Sequence, residues 1–371
     1  MIKPIGLYIH IPFCVRKCNY CDFCSTAADD DLKNRYIAAL KAEIESYKRE
    51  RKIVADTVFI GGGTPSLLSG EAFLSLMASI RESFDVTDAA EITVEVNPKT
   101  LDAEKIKSYK ACGVNRISIG LQSIHENELK VLGRIHSYSD FLNTYLMLRS
   151  EGFDNINVDL MYGIPEQTRE SFEKTLDAII ALNPEHISCY GLIIEEGTPF
   201  YEKRESLPIP DEDAECDMYE SAHRKFTDAG YNHYEISNYS KDKALCRHNL
   251  KYWRDEEYIG IGLAAHSYFD GVRFSNTSDF AEYFESVSKY RELERESKGK
   301  DPLEYAMLAL RLSEGLSISE YRRIFGKEFA AEKKELLDSY IKKGLMKLED
   351  ERLSFTYKGF YVSLAILSEL L

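Results

Sequence analysis

Short β-branched runs alternate with amphipathic stretches along the first half of the chain. Runs rich in Ile and Val predict strands over Ile5–Ile11, Asp56–Ile60, Glu91–Val96, Asn115–Leu121, Asn155–Met161 and His186–Leu192. Between them, apolar residues three and four apart predict helices over Leu32–Glu50, Gly70–Phe84, Asp102–Ala111, Ser139–Glu151 and Arg169–Leu182. Asp29 to Asp31 offer the first helix an acidic start, and Lys48, Arg49, Arg51 and Lys52 place positive charge at its end. Repeated βα units imply a parallel sheet with covering helices. The expected class is α/β, an incomplete barrel of six (β/α) units.

After the sixth strand the pattern changes. Leu207-Pro-Ile-Pro210 introduces a turn, Asp211–Gly230 reads as a helix and Tyr231–Ser237 as a strand. A charged helix ends near Glu296, and the polar run from Ser297 to Pro302 reads as a linker. The remainder is expected to be a smaller, mainly helical domain with a hairpin over Gly344–Tyr357, winged-helix-like in outline. The expected division is 1–240, 241–300 and 301–371. A helix-turn-helix with a wing is the shape of a DNA reader, but residues 301–371 carry 11 Lys and Arg against 12 Asp and Glu. Without a basic face, packing on the barrel is the better expectation.

Composition narrows the classes further. The 371 residues carry a net charge of −15, which opposes binding to nucleic acid or to an anionic membrane. No apolar stretch approaches 18 residues, and with seven residues before Tyr8 no leader is expected. The expectation is a cytoplasmic protein with reduced thiols, touching membranes only through a partner.

The chemistry concentrates in Tyr8-Ile-His-Ile-Pro-Phe-Cys-Val-Arg-Lys-Cys-Asn-Tyr-Cys-Asp-Phe-Cys24. Cys14, Cys18 and Cys21 form a C-x3-C-x2-C run, whose thiolates converge only if the loop wraps around one point. Soft sulfur ligands point to zinc or an iron–sulfur cluster. Zinc sites normally pair two separated ligand units, and no second unit follows, although Cys24 or His10 could complete a zinc loop. Three thiolates on a cubane leave one iron with an open position. Cys112, Cys189, Cys216 and Cys246 are scattered singly and read as small buried residues.

The C-x3-C-x2-C run resembles the signature of the radical S-adenosylmethionine (SAM) proteins. The surrounding Tyr-Ile-His-Ile-Pro-Phe-Cys is similar to the branch that contains the oxygen-independent coproporphyrinogen III oxidases and the heme chaperones. The resemblance implies a partial (β/α)6 radical SAM barrel, with a 4Fe-4S cluster on the three cysteines and SAM chelated at the open iron. Gly61-Gly-Gly-Thr-Pro65 follows the second strand. Residues without Cβ there let the backbone approach a ligand, or simply make a tight βα turn. In this family such a run receives the SAM amino group, which assigns Gly62, Gly63 and Thr64 to the cofactor pocket. Glu95, at a strand terminus, is either a solvated acid or an acceptor for an ammonium or ribose hydroxyls. By resemblance Glu95, Gln122, Arg134 and Asp159 continue the series of SAM contacts, joined by Tyr8 and by Tyr20 inside the cysteine loop.

One downstream motif bears on function. His248-Asn-Leu-Lys-Tyr-Trp253 carries the sole tryptophan, and an imidazole beside aromatic rings is suited to ligate heme iron axially. Its alternative reading is a structural loop with His248 hydrogen-bonded and Trp253 in the core. The segment resembles a motif associated with heme binding in the chaperones, with Tyr234–Tyr239 and Gly260–Ser267 nearby supporting the match. Phe23 holds the place of the oxidases' fourth cysteine, and Ala264 stands in a stretch usually richer in glycine or proline. The expectation is a chaperone that binds heme and passes it to an apo-protein, served by a reductase or flavodoxin-type electron donor. The alternative is the oxidase, which decarboxylates two propionates of coproporphyrinogen III.

Overall fold

The computed structural model describes residues 3–50, 52–242, 244–286, 292–296 and 300–370. Six parallel strands form the middle of its main sheet, each beside the next in chain order. They are β1 (Ile5–Ile11), β2 (Ile53–Gly62), β3 (Phe84–Val96), β4 (Arg116–Gln122), β5 (Ile156–Tyr162) and β6 (His186–Gly191). The crossovers carry α1 (Asp30–Ser46), α2 (Gly70–Ser83), α3 (Ala103–Ala111), α4 (Glu126–Leu132), α5 (Tyr138–Ser150) and α6 (Arg169–Leu182).

Period-two alternation divides each strand between two tasks. Leu7, Ile9, Val58, Ile60, Ile92, Val94, Ile117, Ile119, Val158 and Leu160 are buried, in one core with Leu40, Leu76, Ile80, Tyr109, Phe141, Leu148, Leu176 and Ile179 of the helices. The alternate positions Glu95, Ser118, Gly120, Asp159, Ser188 and Tyr190 line the cavity on the other face. Helix starts are closed by side chains: Asp29, Ser69, Asp102, Ser137 and Thr168 each accept a backbone N–H of the first turn.

Several elements depart from expectation. Helix α1 stops at Ser46, where the Tyr47 N–H turns back to Ile44 O and the Tyr47 ring packs 5.8 Å from Phe84. The basic residues from Lys48 onward therefore lie beyond its last turn. Helix α4 was not anticipated, being only seven residues long.

Both edges of the parallel sheet are extended. Next to β6 lies β8 (Asn238–Ser240), antiparallel, with β7 (Asn232–Glu235) outside it. The expected single strand over Tyr231–Ser237 is thus part of a hairpin, preceded by α7 (Pro199–Lys203) and α8 (Glu212–Asp228). On the other side β9 (Tyr258–Ile261) runs parallel to β1, after α9 (Arg247–Trp253). Then follow β10 (His266–Phe269), β11 (Val272–Ser275) and β12 (Glu292–Glu296). The charged helix expected to end near Glu296 is replaced there by β12, antiparallel to β11. Residues 297–299 of the expected linker lie outside the described residues.

A second core, built on Leu310, Leu316, Tyr321, Leu337, Met346, Leu353, Phe355 and Phe360, belongs to the C-terminal helices and their three-stranded sheet. The hairpin between Met346 and Phe355 turns at Asp350 and Glu351, both left-handed. This unit docks on β7: the Ile236 N–H donates to Arg311 O at 3.0 Å and the Ser313 N–H to Tyr234 O at 2.9 Å. Among the described residues no helix is long and apolar enough to cross a membrane.

Candidate functional site

The cysteine loop leaves the end of β1 and is fastened on three sides. Its stem is closed by the Cys14 N–H to Thr26 O at 3.0 Å and the Thr26 N–H to Pro12 O at 2.8 Å. Asn19 joins it to the end of α4, donating from its backbone to Leu132 O and from Nδ2 to Val131 O. Phe200 of α7 donates back to Asn19 O. Gly133 ends α4 in a left-handed turn, and a Cβ there would meet Asn19 at 3.2 Å. The same helix end therefore anchors the loop and delivers Arg134 to it.

A cavity of about 450 Å³ opens between this loop and the carboxyl ends of the strands, the usual place for chemistry in parallel α/β folds. Its walls bring together Cys14, Cys18, Tyr20, Cys21, Gly62, Gly63, Thr64, Glu95, Gln122, Arg134 and Asp159. The three thiols thus share a wall with the glycine run and two carboxylates. Burial pushes the Cys21 thiol up to about 11, reinforced by Cys18 and Cys14. A cluster would take these three residues as thiolates, its iron offsetting the charge that burial disfavours.

The zinc alternatives have other partners. His10 binds the Tyr8 hydroxyl through Nδ1 at 2.9 Å and Cys24 O through Nε2 at 2.8 Å, so both ring nitrogens are engaged. Cys24 turns its sulfur toward Ser278 O at 4.0 Å. Neither lines the cavity.

Glu95 Oε2 accepts the Gly62 N–H at 3.0 Å. Burial pushes its carboxyl up to about 8, with the Asp159 charge adding to the effect. Asp159 is also raised by burial, and accepts from Asn157 Nδ2 at 2.7 Å and from the Ser118 hydroxyl at 3.3 Å. Two half-buried carboxylates in one cavity favour a cationic ligand. Gln122 is left-handed at φ 69° and its buried Oε1 has no hydrogen-bond partner, so strain and an unmet acceptor coincide at the cavity wall.

The glycines serve the loop as well as the cavity. A Cβ on Gly62 would meet the His10 ring at 2.5 Å, and one on Gly63 would meet Phe13 O at 2.7 Å. A side chain at either position therefore disturbs the cysteine loop directly.

Two expected site residues lie elsewhere. Tyr8 stands behind the wall, its hydroxyl on His10 and its ring stacked on Phe59. His248 is buried in α9, with Nδ1 paired to the Thr57 hydroxyl and Nε2 to the Tyr252 hydroxyl, both at 2.8 Å. Its ring stacks on Phe59, and burial holds its pKa down at about 3. Glu91 caps this helix by accepting the N–H groups of Arg247 and His248 at 3.0 Å. Lys251 bonds Asp56 at 2.8 Å, and Arg311 of the C-terminal unit lies over the Trp253 ring at 5.3 Å. Of this motif only Asn249 reaches the cavity.

Asn97, Ser118, Gly120, Ser188, Tyr190 and Asn238 also stand on the cavity wall, beyond the residues expected from the sequence. The signal was available in the alternation: Asn97 follows Glu95 by two, and Ser118 and Gly120 precede Gln122 at the same interval.

A loop of three cysteines over the ends of a parallel sheet defines a radical SAM protein, and the profile of the Radical SAM superfamily matches residues 8–179. The profile of the HemN C-terminal domain matches residues 298–362. The chain is 40% identical over 328 residues to the heme chaperone HemW of Escherichia coli, covering 86% of each protein. It is 38% identical over 348 residues to the heme chaperone HemW of Haemophilus influenzae, covering 90% of each. The chain belongs to the HemW family. Its fold matches that of coproporphyrinogen III oxidase (HemN) from Escherichia coli with a TM-score of 0.85, covering 99% of this chain and 90% of the other at 24% identity.

Proposed function

We propose that this protein is a heme chaperone that holds a 4Fe-4S cluster on Cys14, Cys18 and Cys21 and SAM in the adjoining cavity. Heme would be bound and passed to an apo-protein acceptor, with a flavodoxin-type donor or reductase supplying electrons. The observation that carries the reading is the sharing of one cavity by three thiols, the glycine run and two carboxylates in a member of the HemW family.

When bound, cluster and SAM together supply one-electron reductive chemistry that no side chain provides. The protein's own part is orientation. Glu95 and Asp159 offer negative charge to a sulfonium or ammonium group, and the Gly62 amide holds Glu95 in place. The narrow Gly62–Thr64 run brings backbone against the thiol loop, and Tyr20 and Gln122 offer a ring face and an amide to the remainder of the ligand.

Heme ligation by His248 remains part of this reading and carries a structural requirement. The imidazole must leave Thr57 or Tyr252 to reach an iron, so heme entry at this residue requires α9 to open. Anaerobic reconstitution followed by parallel assays tests the function. Saturable heme binding without consumption of coproporphyrinogen III is expected. Multiple-turnover formation of the vinyl product in the presence of SAM and dithionite would instead establish the oxidase.

A further inference from the structure

Asn97 sits one residue beyond β3, and its side chain touches both groups that face the cysteine sulfurs. Its Nδ2 donates to Thr64 Oγ1 at 2.7 Å, and its Oδ1 accepts from Arg134 Nη2 at 2.6 Å. With its oxygen already accepting from Asn97, the Thr64 hydroxyl directs its own hydrogen to Cys14 Sγ at 3.7 Å. Arg134 is held a second time by Gly120 O at 2.7 Å, which turns Nη1 to Cys18 Sγ at 3.7 Å. Two of the three thiols thus receive a hydrogen bond from a group that Asn97 positions.

The surroundings are shaped for this arrangement. A Cβ on Gly120 would lie 3.0 Å from Arg134 Nη2 and 3.1 Å from Asn97 Oδ1, so only a residue without one leaves the clamp its room. The Asn97 backbone is fixed independently: its N–H donates to the Ser66 hydroxyl at 3.3 Å and its carbonyl accepts from Thr100 Oγ1 at 2.6 Å. Arg134 is half-buried, so its charge acts on Cys18 across 3.7 Å with reduced screening by water.

Hydrogen bonds and positive charge at cluster sulfurs favour the reduced form, which carries one more negative charge. We propose that Asn97 is a positioning residue that raises the reduction potential of the cluster, acting through Thr64 on Cys14 and through Arg134 on Cys18. This rests on the cluster reading above. The step concerned is the transfer of one electron from dithionite to the oxidised cluster, with no bond made or broken. Asn97 makes that transfer more favourable for any donor.

The test is an EPR-monitored redox titration of the anaerobically reconstituted protein without SAM, so that turnover plays no part. Asn97→Ala should shift the reduction equilibrium about tenfold toward the oxidised cluster, a midpoint lower by about 59 mV for a one-electron couple. Thr64→Val, which removes only the hydroxyl facing Cys14, should lower it by less. The double variant should match Asn97→Ala, because Asn97 acts on Cys14 through Thr64. Iron and sulfide content should remain at the wild-type level in all three. A potential in Asn97→Ala equal to wild type, or full additivity in the double variant, would overturn the proposal. Should Asn97→Ala fail to assemble a cluster, Asn97→Asp decides. Its carboxylate keeps Arg134 but draws the Thr64 hydrogen away from Cys14, so an unchanged potential there is equally fatal. A wild-type protein that assembles no 4Fe-4S cluster would remove the cluster reading itself, a different failure.

Discussion

The mouth of the sheet and the α9 helix both carry motifs with chemical promise, yet Gln122 at the mouth and His248 in α9 are in opposite states. At the mouth, burial and the neighbouring Cys18 and Cys14 raise the Cys21 thiol, Gln122 Oε1 lacks a partner and Glu95 and Asp159 oppose one another. In α9, both nitrogens of His248 are hydrogen-bonded, Lys251 is ion-paired and Glu91 caps the helix. Unmet demand marks a place prepared for a ligand, whereas a satisfied network holds the fold together unless it opens. The same resemblance pointed to both motifs, and only the geometry separates them.

The largest expected effect is at the mouth. Replacing Cys14, Cys18 and Cys21 together with Ala should abolish the cluster, read as iron and sulfide content after reconstitution. Cys24→Ala should retain it, because that sulfur faces Ser278. Retention of the cluster in the triple variant would remove the asymmetry between the two regions.

His248→Ala probes the other side. Loss of the ring strands the Thr57 and Tyr252 hydroxyls, each costing about 1–3 kcal/mol when buried, so apo-protein stability should fall by about 3 kcal/mol in urea unfolding. The heme absorption bands should shift or weaken in the same variant. Altered bands with unchanged stability would make His248 a ligand without a structural role and break the comparison.

Glu95→Gln sharpens it. Removing one of the two carboxylates should weaken SAM about tenfold by calorimetry, the scale of one charge-assisted hydrogen bond, with the cluster intact. In the wild type the folded pKa of about 8 lies above the ordinary 4.5. The folded apo-protein therefore holds a proton that the unfolded chain has released, and its stability falls as pH rises from about 4.5 to about 8. SAM affinity should rise from pH 7 to pH 9 as the carboxylate forms. Both slopes should flatten in the variant.

The smallest effect lies outside both regions. Ala264 is left-handed at φ 56°, a conformation that disfavours a Cβ. Ala264→Gly should stabilise the protein by about 0.5–1 kcal/mol in urea unfolding, with cluster and heme properties unchanged.

Much of the fold was legible because β-branched runs and helical periodicity are local signals. The six central strands and their five long helices lie where the pattern put them, to within a few residues at most ends. The edges were harder. Residues 231–240 form a hairpin because the chain bends between Glu235 and Asn238 to pair β8 with β6, and nothing local distinguishes that bend from one continuing strand. Strand β12 is likewise set by its partner β11, not by its charged sequence. The cavity was legible where resemblance supplied the residues and opaque where only three-dimensional alternation did, as at Asn97 and Gly120. His248 shows the converse: its motif is plain in sequence, while its two hydroxyl partners are 191 residues and four residues away.

On this reading the three-cysteine loop leaves one iron open to SAM bound in the neighbouring cavity. EPR of the reduced, cluster-loaded protein before and after SAM addition tests it most directly. One 4Fe-4S signal per chain is expected, with its g-values shifted by SAM in the wild type and the shift weakened in Glu95→Gln. A fully assembled cluster whose spectrum is indifferent to saturating SAM would contradict the account.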